Sequence, residues 1–192
     1  MFFLKNNSYL IRVLLLFICL NVLNDVLMVS LALKHINNHF AANFFTIFET
    51  CFLFFFLRMF TRNKLFKKVL LILPAAFLLF SISRINNGLL NFIDPALYVV
   101  SSLLLLISAA YSMLILSSDP DFYWNVSEFW ILCSILFFYS ASVTAYAFSK
   151  ILISDHTGNS GNIYFIAIFS FANILTNIGF AKAFTCKQTL TK

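Results

Sequence analysis

Long apolar runs, broken by polar residues at helical spacing, fill almost the whole of this sequence. Six such runs stand out, at about residues 9–33, 40–60, 65–83, 95–116, 126–149 and 162–181. Crossing the roughly 30 Å of bilayer hydrocarbon takes about 20 apolar residues in a helix. Each run meets that length. None shows the strict alternation of a half-buried strand. The pattern predicts an all-α polytopic transmembrane helix bundle of six spans, with residues 1–192 forming a single integral membrane domain.

The second run organises the rest. It reads FAANFFTIFETCFLFFFLRMF and carries one carboxylate, Glu49, near its middle. A charge at that depth is expensive and is normally turned toward the protein interior. Asn43, Thr46, Glu49 and Thr50 fall toward one side of a helix, a polar stripe that neighbouring spans are expected to cover. Phe44, Phe45, Phe48, Phe52 and Phe55 fall on the other and are expected to face lipid.

The remaining runs differ in what interrupts them. In the first, Arg12 and Lys34 bracket 21 residues without a positive charge, and Asn21, Asn24 and Asp25 share one side. A cleaved signal peptide competes for this run, with Ser30 and Ala32 as its cleavage motif, but a polar cluster inside the apolar region opposes it. The third is apolar on every side and contains Pro74, which predicts a peripheral, kinked helix. Asn86, Asn87 and Gly88 mark a turn, and Asp94-Pro95 reads as a helix start. The fourth has a stripe of Tyr98, Ser101, Ser108 and Ser112, and Ser117 to Asp121 form the next turn. The fifth has Trp124 and Trp130 for an interfacial belt, Asn125 with Glu128 as a capping pair, and a stripe of Tyr139, Ser142, Tyr146 and Ser149. These stripes either line a cavity or serve as packing contacts. The sixth follows a polar loop at 150–161 and carries Ser170, Asn173 and Asn177.

Composition closes off the soluble alternatives. The chain is 61% hydrophobic and 10% charged, with 26 Phe and a mean hydropathy of +0.92. Soluble domains have roughly 25% charged residues. Spans and short connections use all of the sequence, so no soluble catalytic or nucleic-acid-binding domain fits. The net charge of +6 is distributed by side. Six spans place Lys5, Arg12, Arg58, Arg62, Lys64, Lys67, Lys68, Lys182, Lys187 and Lys192 on one side, and Lys34, Arg84 and Lys150 on the other. The positive-inside rule then predicts a multi-pass protein of the cell's inner (cytoplasmic) membrane with both termini cytoplasmic. Arg58, Arg62, Lys64, Lys67 and Lys68 form a basic corner whose expected partner is anionic lipid at the cytoplasmic face.

The candidate site is a membrane-buried polar cluster. Counted from the span ends, Glu49 lies near the midplane, Asp25 lies nearer the outer face, and Asn21, Asn173 and Asn177 lie at comparable depth. Glu49 is expected to point inward and to hydrogen-bond groups on spans one and six. Such a set acts either as interhelical hydrogen-bonding glue or as a ligand, ion or proton site. His35 and His39, four residues apart, and the Asp155-His156 pair fall on the outer side, without the spacing of a metal motif. Cys19, Cys51, Cys133 and Cys186 read as free thiols. No phosphate loop, nucleophile elbow or zinc signature occurs, so no catalytic residue, metal or cofactor is assigned.

Three stretches carry a resemblance. Ile36 to Phe56, INNHFAANFFTIFETCFLFFF, resembles the Asn-rich turn and Glu-bearing helix of an uncharacterised family of bacterial seven-helix integral membrane proteins. Phe129 to Ala141 and Asn162 to Phe184 resemble that family's last two helices. The family in turn resembles the membrane regions of bacterial sensors. The resemblance implies perception or regulation, with a membrane or signalling protein as partner, and it implies that the family's first helix is missing here. Asn24 to Met28, NDVLM, more faintly resembles the Gly-Asp-containing helix of lysoplasmalogenase-like membrane hydrolases, without its glycine. The expected function is therefore a sensory or regulatory membrane module with a buried polar pocket. The alternatives are an intramembrane lipid hydrolase using Asp25 and Glu49, and a small transporter-like protein.

Overall fold

The computed structural model describes residues 9–61, 63–84, 94–118, 126–147 and 160–186. Among them the regular elements are six α-helices: α1 (Tyr9–Leu33), α2 (His39–Phe60), α3 (Lys64–Arg84), α4 (Pro95–Ser117), α5 (Ser127–Ala147) and α6 (Ser160–Thr185). All six are long and apolar enough to cross a membrane. The chain is an all-helical, multi-pass membrane protein. The expectations for Arg62, for the turn at Asn86, Asn87 and Gly88, and for Trp124, Asn125 and Ser149 lie outside the described residues. So do those for the 150–159 loop with Asp155 and His156, and for Lys5, Lys187 and Lys192.

Helix ends in a membrane must satisfy their own backbone groups, and the sequence supplies the means locally. At the end of α1, Ile36 N–H donates to the Leu31 carbonyl and His35 N–H to that of Ala32, each at 3.0 Å. This is a Schellman closure, with His35 in the left-handed region at φ 54° where glycine is the usual residue. Asn63 Oδ1 accepts from Leu65 and Phe66 N–H at 2.9 and 3.2 Å and caps α3. Asp94 caps α4, its carboxylate accepting from Ala96 N–H at 3.1 Å, and Pro95 takes the first helical position. Arg84 closes the α3–α4 connection from the other side, donating to both Asp94 oxygens at 2.7 and 3.0 Å.

The tightest packing runs through α5, which has α4 on one flank and α6 on the other. Small residues allow it: Ser101, Ser102, Ser108, Ala109 and Ser112 of α4 are all buried. The hydroxyls of Ser112, Ser134 and Ser142 return to carbonyls one turn back, at 2.8, 2.8 and 2.9 Å. This leaves their helices free to approach. These serines are packing residues. Gly179 of α6 lies directly against Ser134 of α5.

On the other flank α2 packs against α3 and α4. Asn43, Thr46 and Thr50 are buried and Phe44, Phe48 and Phe55 are exposed, as the stripe predicts. Phe45 and Phe52 depart from it. Phe52 stacks on Phe17 of α1 at 5.2 Å, and Phe45 lines a cavity. The reason is that α2 has neighbours on several sides, so its interior face is wider than its polar stripe.

The peripheral helix is α3, which packs chiefly on α2. Leu71 and Ile72 are 57% and 64% exposed, whereas Phe77 is buried against the α4 residue Leu97. The tolerance to substitution expected of a peripheral helix therefore stops at Phe77. Leu71→Phe and Ile72→Phe are expected to change unfolding free energy by no more than about 0.5 kcal/mol. Thermal unfolding in detergent micelles checks this, and a large loss at either position would place α3 inside the bundle.

The lightest attachment belongs to α1. Its first half contributes Leu10, Ile11, Leu14 and Phe17 to the main core, together with Leu53, Leu57, Ile131, Ile135 and Phe180. Its second half stands clear, with Val22, Leu23, Val26 and Leu33 exposed.

Candidate ligand-binding cavity

The separation of α1 from the bundle leaves a cavity of about 480 Å³. It lies toward the end of the bundle that carries Asp94, above the apolar core. Five helices contribute. From α1 come Phe17, Asn21, Asn24 and Asp25, and from α2 come Phe45, Thr46 and Glu49. From α4 comes Tyr98; α5 adds Ile135, Phe138 and Tyr139. Asn173, Thr176, Asn177 and Phe180 of α6 complete the wall. Only α3 is absent, in keeping with its peripheral place.

The structure thus brings Asn21, Asp25, Glu49, Asn173 and Asn177 onto one cavity. Their exposures differ. Glu49 is half-buried and lines the cavity. Asp25, Asn173 and Asn177 are exposed and Asn24 is half-buried. Because α1 and α6 do not pack closely on each other, these four residues mark a mouth between them that opens sideways. The Asn21 amide donates to the Phe17 carbonyl of its own helix at 3.0 Å.

The expected bonds from Glu49 to spans one and six are replaced by another arrangement. The group that faces Glu49 is the phenol of Tyr139 on α5, with Asp25 as its charged neighbour. Tyr139 is 5% exposed, and its Oη is buried without a hydrogen bond of ordinary geometry. Beside it runs a sheet of aromatic contacts. Phe138 lies 5.1 Å from Tyr139, Tyr98 lies 4.3 Å from Tyr146, and Tyr146 lies 5.4 Å from Phe169. Tyr98 and Tyr139 belong to the stripes that the sequence leaves open between packing and cavity. Spacing alone gives no signal for which applies, since both fit one turn of the same helix face.

The other candidates lie elsewhere. Arg58 and Lys67 are half-buried and Lys64 and Lys68 exposed, at the α2–α3 corner on the opposite end of the bundle. His35 is exposed, and His39 Nδ1 is buried without a partner. The four cysteines are free thiols. Among the described residues no three His, Cys, Asp or Glu gather as a metal site. No family model, curated protein or solved structure matches this chain.

Proposed function

We propose that this protein is a sensory or regulatory module of a bacterial inner membrane that holds a ligand in the cavity behind α1. The observation that carries the reading is convergence. Five polar side chains at membrane depth, from three helices, border one cavity with a sideways mouth. Polar groups that served only as glue would be bonded to one another across helices. Asn24, Asp25, Asn173 and Asn177 form no such bonds among the described residues, which favours a binding role. The resemblance to sensor membrane regions points the same way. In this reading both termini are cytoplasmic, in line with the uneven distribution of Lys and Arg. Arg58, Arg62, Lys64, Lys67 and Lys68 then lie on anionic headgroups, at about 1 kcal/mol each.

A lipid hydrolase is the second reading, because Asp25 and Glu49 line the same cavity and its mouth faces the lipid. A transporter would need a path to the other end, where Leu10, Leu14, Leu53 and Leu57 fill the core instead. The deciding experiment is a deletion strain complemented with wild type, Glu49→Gln or Glu49→Leu, read by transcript profile and by lipidome. The expected result is a transcript shift on deletion that wild type reverses and Glu49→Gln does not, with the lipidome unchanged. Accumulation of lysolipids on deletion, cleared only by wild type, would replace the regulatory reading with the hydrolase.

A further inference from the structure

The ligand's chemical class can be argued from the cavity wall. Two carboxyl groups, Asp25 at the mouth and Glu49 inside, border the space, and no lysine or arginine does. The described basic residues sit at the helix ends, at Arg12, Lys34, Arg58, Lys64, Lys67, Lys68, Arg84 and Lys182. An anion entering this cavity would meet only like charge. A cation would give the carboxylates the partner that buried charge needs.

Six aromatic rings, those of Phe17, Phe45, Tyr98, Phe138, Tyr139 and Phe180, share the wall with these acids. Ring faces attract cations and suit alkylated ammonium in particular. A hard divalent ion is a poorer match, since it favours several carboxylates and among the described residues no three His, Cys, Asp or Glu gather. Tyr139 adds a polar group to the same wall, its buried phenol turned toward Glu49. The volume of about 480 Å³ falls in the range of small-molecule sites, roughly 300–1,000 Å³.

We infer that the cavity binds a monovalent organic cation, an amine or quaternary ammonium on an apolar body, entering between α1 and α6. Its charged centre sits between Asp25 and Glu49, and its apolar body lies on the rings of α5 and α6. The inference rests on the pocket reading above and narrows it. The ammonium can come from a free hydrophobic amine or from a lipid headgroup.

Tetraphenylphosphonium and tetraphenylborate have one shape and opposite charges, and they separate charge from greasiness. Isothermal titration of the purified full chain in nanodiscs of phosphatidylglycerol is expected to show saturable binding of the phosphonium and none of the borate. Glu49→Gln and Asp25→Asn are each expected to weaken the phosphonium at least tenfold. Asp25 is exposed, so Asp25→Asn keeps the test open should Glu49→Gln fail to fold. Repeating the titration in phosphatidylethanolamine assigns the source. A tenfold loss of apparent affinity there marks the lipid headgroup as competitor, and an unchanged affinity marks a free amine. Binding of the borate in place of the phosphonium, abolished by Asn173→Leu, would overturn the cation and leave the pocket reading standing. Equal binding of both ions, or of neither, would also overturn it.

Discussion

Replacing Asp94 with alanine is expected to destabilise the protein by about 2–3 kcal/mol. Two contributions add. Loss of a helix N-cap costs roughly 1 kcal/mol, and hydrogen bonds to charged groups contribute about 1.5–3 kcal/mol before allowance for exposure. Arg84 is 30% exposed, which places the pair toward the lower figure, while Asp94 is only 7% exposed. Asparagine caps as well as aspartate. Asp94→Asn should therefore keep the first contribution and lose only the second. Burial alone would raise the Asp94 carboxyl, but the Arg84 hydrogen bonds and charge, with the N–H groups of Ala96 and Leu97, hold it below its ordinary 3.8. A lowered carboxylate contributes stability that is fully present above the unfolded value. That stability is lost as pH falls through the lower folded one. Thermal midpoints measured from pH 7 to pH 2.5 should fall on acidification in the wild type, and fall less in Asp94→Asn. An identical acid response in the two proteins would show that the pair adds nothing.

Gly179→Val is expected to force α6 away from α5, at about 1–3 kcal/mol or more. A Cβ at this position collides with Ser134 Oγ and lies 3.4 Å from the Trp130 carbonyl oxygen. The hydroxyl can turn away, giving up its bond to that carbonyl, whereas the backbone cannot. Gly179→Ala should thus be mildly destabilising alone. In a Ser134→Ala background it should be neutral or better, because alanine is the stronger helix former by about 1 kcal/mol. Gly179→Val should remain harmful in both backgrounds. Thermal unfolding of these four variants, Ser134→Ala and wild type decides this, and rescue of valine by Ser134→Ala would move the clash off the backbone.

The depth of polar residues was the legible part of the site. Asn21, Asp25, Glu49, Asn173 and Asn177 stand out because a polar side chain inside an apolar run needs a reason. The converse inference fails. An apolar side chain is equally content in lipid or against another helix, so nothing in the residue separates Phe45, Phe52 and Phe77 from Phe44 and Phe48. The same indifference hides the stance of α1, whose apolar residues do not reveal which half packs on the core. The Arg84–Asp94 pair was invisible for a different reason. It joins residues ten apart across a connection whose path neither residue type reveals. The six helices themselves needed only length and hydropathy.

The uneven packing of the bundle has a consequence for biogenesis. α1 leaves the ribosome before the other five helices, yet its core partners Ile131, Ile135, Phe180 and Ala183 are synthesised more than a hundred residues later. Nothing in the bilayer presses it to wait in the right place, because lipid solvates Leu10, Ile11 and Leu14 as well as those partners do. The rigid body that forms by tight apposition is α4, α5 and α6, the last half of the chain. Of the six helices α1 is therefore the last to find its seat, and its seating closes one wall of the cavity.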